Sequence, residues 1–72
     1  MQTVEGLVRL AAAGGGFAVD ANNCLLEDLV RIAAAGSGKQ ARLVVRQLQH
    51  LNLEDLVRIA AAGKGCVFFE GL

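Results

Sequence analysis

Apolar residues along this chain follow two different periods, one helical and one extended. Residues 26–36 carry apolar side chains at the i, i+3, i+4 and i+7 positions, the spacing of a helix with one buried face. Residues 41–46 alternate instead, so that Leu43 and Val45 are predicted to face the core while their neighbours point away. The chain therefore combines amphipathic helices with half-buried strands.

The helical pattern occurs three times. Residues 26–36 recur letter for letter at 53–63, and residues 4–14 are a looser copy, so the copies start 22 residues apart (4 to 26) and then 27 apart (26 to 53). This period is typical of repeat proteins, in which each supersecondary unit buries its apolar face against its neighbours. The perfect copy also fits a designed or recently duplicated sequence.

A short β-rich stretch follows each helix, at residues 17–20, 41–46 and 66–70. Strands joined through a single helix pair in parallel by right-handed crossovers. We therefore predict an α/β fold with a three-stranded parallel sheet in the order 1-2-3 and all helices on one face. The alternative is a helical bundle in which the β-rich stretches are loops. Residues 1–72 form one domain, whose three repeats span about residues 3–22, 25–50 and 52–72.

The predicted core lies between the helices and the inner face of the sheet. Its residues come mainly from the second and third repeats: Leu29, Val30, Ala33, Leu43, Val45, Leu56, Val57, Ala60, Val67 and Phe69.

Polar and glycine residues mark the predicted helix ends. Thr3 and Asn52 stand at N-cap positions before acidic first turns, whereas the second helix has only Asn23 as a nearby candidate. A glycine follows every Ala run, where a helix favours a left-handed residue after its C-terminus. These glycines are Gly14, Gly36 and Gly63.

The strand segments resemble those of leucine-rich repeats. Phe17-x-Val19-x-x-Asn22 and the segment from Leu43 to Leu51 are similar to the LxLxxN/CxL motif, although Leu48 stands where the ladder asparagine is expected. The resemblance implies a short α/β solenoid in which the side chains between the core positions of the strands line an exposed binding surface.

Composition narrows the range of partners. Apolar residues make up 54% of the chain, and seven basic residues balance seven acidic ones. Near-zero net charge argues against nucleic-acid and membrane binding, and the apolar runs are too short to cross a bilayer. Lys39, Arg42, Arg46 and His50 form one local basic cluster, but no aromatic residue is interleaved to stack bases. We expect a cytoplasmic protein.

Residues that could carry chemistry have structural explanations. Gly36-Ser37-Gly38-Lys39 resembles a phosphate loop, but it follows a helix instead of preceding one. The Glu-Asp pairs at residues 27–28 and 54–55 suit helix N-termini, and an arginine four residues after each Glu indicates intrahelical ion pairs. His50, the only histidine, is interpreted as a polar loop residue. We therefore expect no catalytic, cofactor-binding or metal-binding residue, and no enzyme.

The two cysteines, Cys24 and Cys66, cannot form a structural zinc site alone. Both are interpreted as small buried hydrophobes. They are not expected to pair with each other, because the fold places them at opposite ends of non-adjacent strands.

The open face of the sheet is the strongest functional candidate. The predicted partner-binding residues lie at the alternate strand positions whose side chains point away from the helices: Asp20, Arg42, Val44, Arg46, Phe68 and Glu70. The apolar last strand is an unprotected edge, so we expect a homo-oligomer, most simply a dimer, with another protein as a further partner. The leading hypothesis is a non-catalytic interaction or structural module without a cofactor. The alternative is a small ligand- or nucleotide-binding protein or enzyme that uses the glycine turns or acid pairs.

Overall fold

The computed structural model describes residues 3–71 and contains three helix–strand units. The elements are α1 (Val4–Ala12), β1 (Phe17–Asp20), a 3-10 turn (Ala21–Asn23), α2 (Leu26–Ser37), β2 (Leu43–Arg46), α3 (Leu53–Gly63) and β3 (Val67–Phe69). The strands form one parallel sheet in the order β1-β2-β3. The predicted α/β fold is confirmed, and the helical-bundle alternative is wrong. None of the helices in residues 3–71 has the length and apolar character needed to cross a membrane.

The sheet register aligns equivalent residues of the three repeats. Phe17 lies beside Leu43 and Leu43 beside Val67, and the following residues continue this pairing. Strands β2 and β3 are shorter than predicted, because regular pairing begins at Leu43 and Val67. The inner face of the sheet packs on the helices, and α2 lies between α1 and α3.

The helix starts differ in how their free amides are satisfied. The Thr3 side chain accepts a hydrogen bond from the Gly6 amide, and Asn52 forms a reciprocal capping box with Asp55. Helix α2 starts after Leu25 without any side-chain cap, so Asn23 does not cap it. Asn23 instead ends the 3-10 turn.

Only one of the three predicted left-handed glycines has that conformation. Gly14 has φ +97°, but Gly36 and Gly63 lie inside helices and are buried. These two positions need glycine for space. A Cβ on Gly63 would lie 2.2 Å from Cγ2 of Val67, and one on Gly36 would lie 3.2 Å from Cβ of Ala41. In the third repeat Lys64 and Gly65 take the left-handed turn, with φ of 51° and 90°.

The core differs from the predicted one in which helix residues it includes. Leu29, Ala33, Leu43 and Val45 are buried as expected, and Val30, Val67 and Phe69 are half-buried against them. Leu56 is half-buried but lines the cleft at the ends of the strands instead of packing against this core. Val57 and Ala60 are exposed, so their assignment to the core is wrong. The prediction omitted Ile32 and Ile59, which are fully buried, and the smaller residues Ala11, Val19, Ala21 and Ala41.

The position of α3 at one side of the helical layer explains why Val57 and Ala60 are exposed. Val30 and Ala33 are equivalent to Val57 and Ala60, and they lie on a helix that has neighbours on both sides. Helix α3 packs on α2 alone among the described helices. Burial here depends on the neighbouring helix as much as on the periodicity of the sequence.

Ion pairs also run between elements instead of along one helix. Arg31 pairs with Glu5 of α1, not with Glu27 in its own helix. The other ion pair within residues 3–71 joins Arg46 to Asp20 across β2 and β1. The predicted intrahelical pairs are therefore absent from the described residues. For Arg31 the reason is that α1 offers it the carboxylate of Glu5.

The ladder position of the leucine-rich-repeat motif carries no buried asparagine. Asn22 lies exposed in the 3-10 turn, and Leu48 is half-buried in the loop after β2. The helix–strand repeat itself is observed. The solenoid label rests on the resemblance alone.

Replacing Gly63 by alanine should lower the free energy of unfolding by about 1–3 kcal/mol, because the new methyl group overlaps the stiff Val67 side chain. Gly38→Ala is the matched control at another helix end. Its φ is −72° and nothing lies within 4 Å of a Cβ there, so about 0.4–1 kcal/mol of stabilisation is expected. Urea unfolding followed by circular dichroism measures both. Equal stabilities of the two variants would contradict the packing role of Gly63.

Candidate functional site

The open face of the sheet carries three rows of side chains, each row crossing all three strands. Because side chains alternate along a strand and the strands pair in register, every second residue shares this face. The hydrogen bonds from the Phe17 amide to the Arg42 carbonyl and from the Glu70 amide to the Val45 carbonyl extend the register at both ends. The rows are Gly16–Arg42–Cys66, Ala18–Val44–Phe68 and Asp20–Arg46–Glu70.

An arginine and an aromatic ring stack at one side of this face. The guanidinium carbon of Arg42 lies 5.1 Å from the centroid of the Phe68 ring, within the range of a cation–π contact. Phe68 is 47% exposed although it lies on a strand, so a large part of its ring contacts water. The stack presents an apolar surface and a positive charge in one fixed arrangement.

The third row alternates in charge. Nε of Arg46 lies 3.4 Å from Oδ1 of Asp20, and Glu70 follows β3 on the other side of Arg46. Both partners of the ion pair are well exposed, and such pairs contribute at most about 1 kcal/mol to stability. The ion pair therefore contributes little to the stability of the sheet.

All six residues predicted to bind a partner lie on this one face, as their parity required. These residues are Asp20, Arg42, Val44, Arg46, Phe68 and Glu70. Their partner-binding role stays a prediction. Sequence reasoning omitted Cys66, which is half-buried beside Arg42 and has the same parity as Phe68.

A cleft of about 440 Å³ opens beyond the carboxyl ends of the strands, the edge where open α/β sheets commonly bind ligands. Its charged lining residues are Arg46 and Glu70, and the remainder is amide, aliphatic and glycine. The cleft therefore lacks a cluster of acids, imidazoles or thiols. His50 is exposed and does not line it.

The glycine turns and the acid pairs lie at helix ends in the described structure. Ser37 lies in the last turn of α2, where its hydroxyl donates to the Ala34 carbonyl, so this loop leaves the C-terminal end of a helix dipole. Asp55 caps its own helix. Within residues 3–71, no three His, Cys, Asp or Glu side chains come together as metal ligands.

Both cysteines are unpaired and half-buried instead of fully buried. Burial raises the pKa of the Cys24 thiol, and the charges of Asp28 and Asp20 raise it further. Cys24 is therefore held as the neutral thiol, the less nucleophilic form.

Comparisons with protein-family models, with curated proteins and with solved structures found no match.

The raised pKa of Cys24 makes its reactivity dependent on folding. We expect iodoacetamide to alkylate Cys24 more slowly in the native chain than in the urea-unfolded chain between pH 7 and 9. When the rate of Cys24 alkylation is plotted against pH, the midpoint for the native chain should lie above that for the unfolded chain, because the native state retains the thiol proton to higher pH. Peptide mass spectrometry resolves Cys24 from Cys66. A native midpoint at or below the unfolded one would contradict the assignment.

The same shift affects stability. Above the ordinary pKa of a cysteine, the unfolded chain loses the Cys24 proton first, so the free energy of unfolding should fall as the pH rises through the native pKa. Cys24→Ala should lessen this fall.

Proposed function

We propose that the chain is a non-catalytic interaction module that associates with itself and presents the open face of its sheet to protein partners. One observation carries the proposal: Phe68 keeps nearly half of its surface exposed while Arg42 stacks on its ring. Exposed apolar residues grouped with ordered charges are typical of interaction surfaces, where aromatic residues and arginine are enriched.

The charge pattern of this face supports a protein partner over a polyanion. Arg42 and Arg46 are the basic residues of the three rows, and Asp20 and Glu70 flank Arg46 on either side. A phosphate backbone would be repelled by both carboxylates, whereas a protein surface of mixed charge can complement them. The balanced charge of the whole chain agrees with this preference. The proposal includes a cytoplasmic location, where two unpaired cysteines stay reduced.

The alternative is a small-molecule binder. The cleft beyond the carboxyl ends of the strands favours it, since Arg46 could bind an anionic group and the Gln47 and Gln49 side chains could orient it. The cleft is open, and Gln49 donates a hydrogen bond to Gln47, so these two amides already partly satisfy one another. Interaction through the sheet face therefore remains the better-supported function.

Two measurements separate the proposals. Static light scattering between about 1 and 500 µM should give a mass above the 7.5 kDa of one chain, rising with concentration. Isothermal titration with ATP, GTP, Mg²⁺ and Zn²⁺ should give no saturable heat. A chain that stays monomeric throughout would refute self-association. Saturable micromolar binding of a nucleotide or metal would favour the ligand-binding alternative.

A further inference from the structure

Helices α2 and α3 have the same sequence over residues 26–36 and 53–63 but different surroundings. Ala33 is 2% exposed where its equivalent Ala60 is exposed, and Val57 is 53% exposed where Val30 is half-buried. Leu53, one turn earlier, is 72% exposed. We call Leu53, Val57 and Ala60 the C-terminal stripe. Their equivalents on α2, which are Leu26, Val30 and Ala33, pack in or against the core, and Ala33 approaches Gly63 of the following helix.

The opposite end of the molecule shows the complementary difference. Leu10 of α1 is 44% exposed, whereas its equivalents Ile32 and Ile59 are fully buried. Strand β1 is the edge of the sheet at this end, since the strand order is β1-β2-β3 and β1 pairs with β2 on its other side. We call Leu10 and the free edge of β1 the N-terminal surface. It lacks the preceding repeat that covers the same side of α2 and α3.

The two junctions inside the chain have the same construction. An alanine of one helix faces a glycine of the next: a Cβ on Gly36 would lie 3.5 Å from Cβ of Ala11, and one on Gly63 would lie 3.6 Å from Cβ of Ala33. Both junctions continue the parallel sheet in the same register. At each of these junctions, the earlier helix therefore contributes an alanine and the following helix contributes a glycine.

We infer that the two ends are the halves of one further junction, so that copies of the chain stack head-to-tail. This inference rests on the proposed self-association and identifies its surfaces. The C-terminal stripe of one copy packs on the N-terminal surface of the next, and β3 pairs in parallel with β1. Continuity with the internal junctions selects a second copy of this chain as the occupant.

Charge complements this arrangement. Within the chain, Arg31 of α2 binds Glu5 of α1 at the first junction, whereas the equivalent Glu27 and Arg58 of the second are not paired in the described structure. The equivalent groups at the new junction are Glu54 of one copy and Arg9 of the next, which again have opposite sign. Because the two surfaces differ, the contact is heterologous and does not close at a dimer, unlike the two-fold dimer expected from the sequence.

Three single variants and one mixture test the inference by light scattering, with circular dichroism to confirm that each variant folds. Ala60→Glu and Leu10→Glu each place a charge in one half of the junction, so each should weaken association at least about tenfold. Ala34→Glu is the control, because it makes the same substitution on the exposed outer side of the central helix α2, away from both ends and from the open face. It should associate like the native chain. If Leu10→Glu does not fold, Arg9→Glu replaces it.

Mixing Ala60→Glu with Leu10→Glu is the decisive experiment. Each mixed pair retains one intact junction, so the mixture should form a dimer that neither variant forms alone and that grows no further. Failure of the mixture to associate, or Leu10→Glu associating like the native chain, overturns head-to-tail stacking and leaves self-association standing. Loss of association in Ala34→Glu would assign the contact to the outer side of the helical layer and would likewise overturn head-to-tail stacking. A native chain that remains monomeric overturns both proposals.

Discussion

The architecture depends on a mismatch between two packing distances. Neighbouring strands lie about 4.8 Å apart, whereas packed helices need about 8–10 Å between their axes. A repeat with one helix per strand must therefore bring its helices as close as their side chains allow. The alanine–glycine contacts at Gly36 and Gly63 do this, since neither glycine has a side chain to hold the helices apart. The same two residues leave room for Ala41 and Val67, which lead the chain back into the sheet.

The predictable part of the fold followed from local periodicity. Alternation placed Leu43 and Val45 toward the helices, and the repeat located all three helices. The glycines could not be interpreted in this way. The same glycine at the end of an Ala run is a left-handed cap in the first repeat and a close-packing residue in the other two, because α1 ends earlier than α2 and α3. Only the position of the next strand distinguishes these roles.

Burial was predictable where one strand face decides it and failed where a neighbouring helix decides it. The identical segments of α2 and α3 illustrate this limit, since no local rule can separate Ala33 from Ala60. The candidate site shows a similar division. Strand parity was enough to group its six residues, but the stacking of Arg42 on Phe68 depends on side-chain conformations across two strands. The pairing of Arg31 with Glu5 depends likewise on how two helices lie together.

The identity of α2 and α3 also has a consequence for how the chain folds. Because both segments carry the same side chains, helical contacts beside α1 do not by themselves distinguish α2 from α3. The N-terminal ends of the two helices do differ. Asn52 and Asp55 stabilise the start of α3 locally, while α2 has no side-chain cap and depends on its two neighbours to become ordered. Helix α2 therefore depends mainly on packing against its two neighbouring helices, whereas α3 is stabilised more by its own N-terminal capping residues.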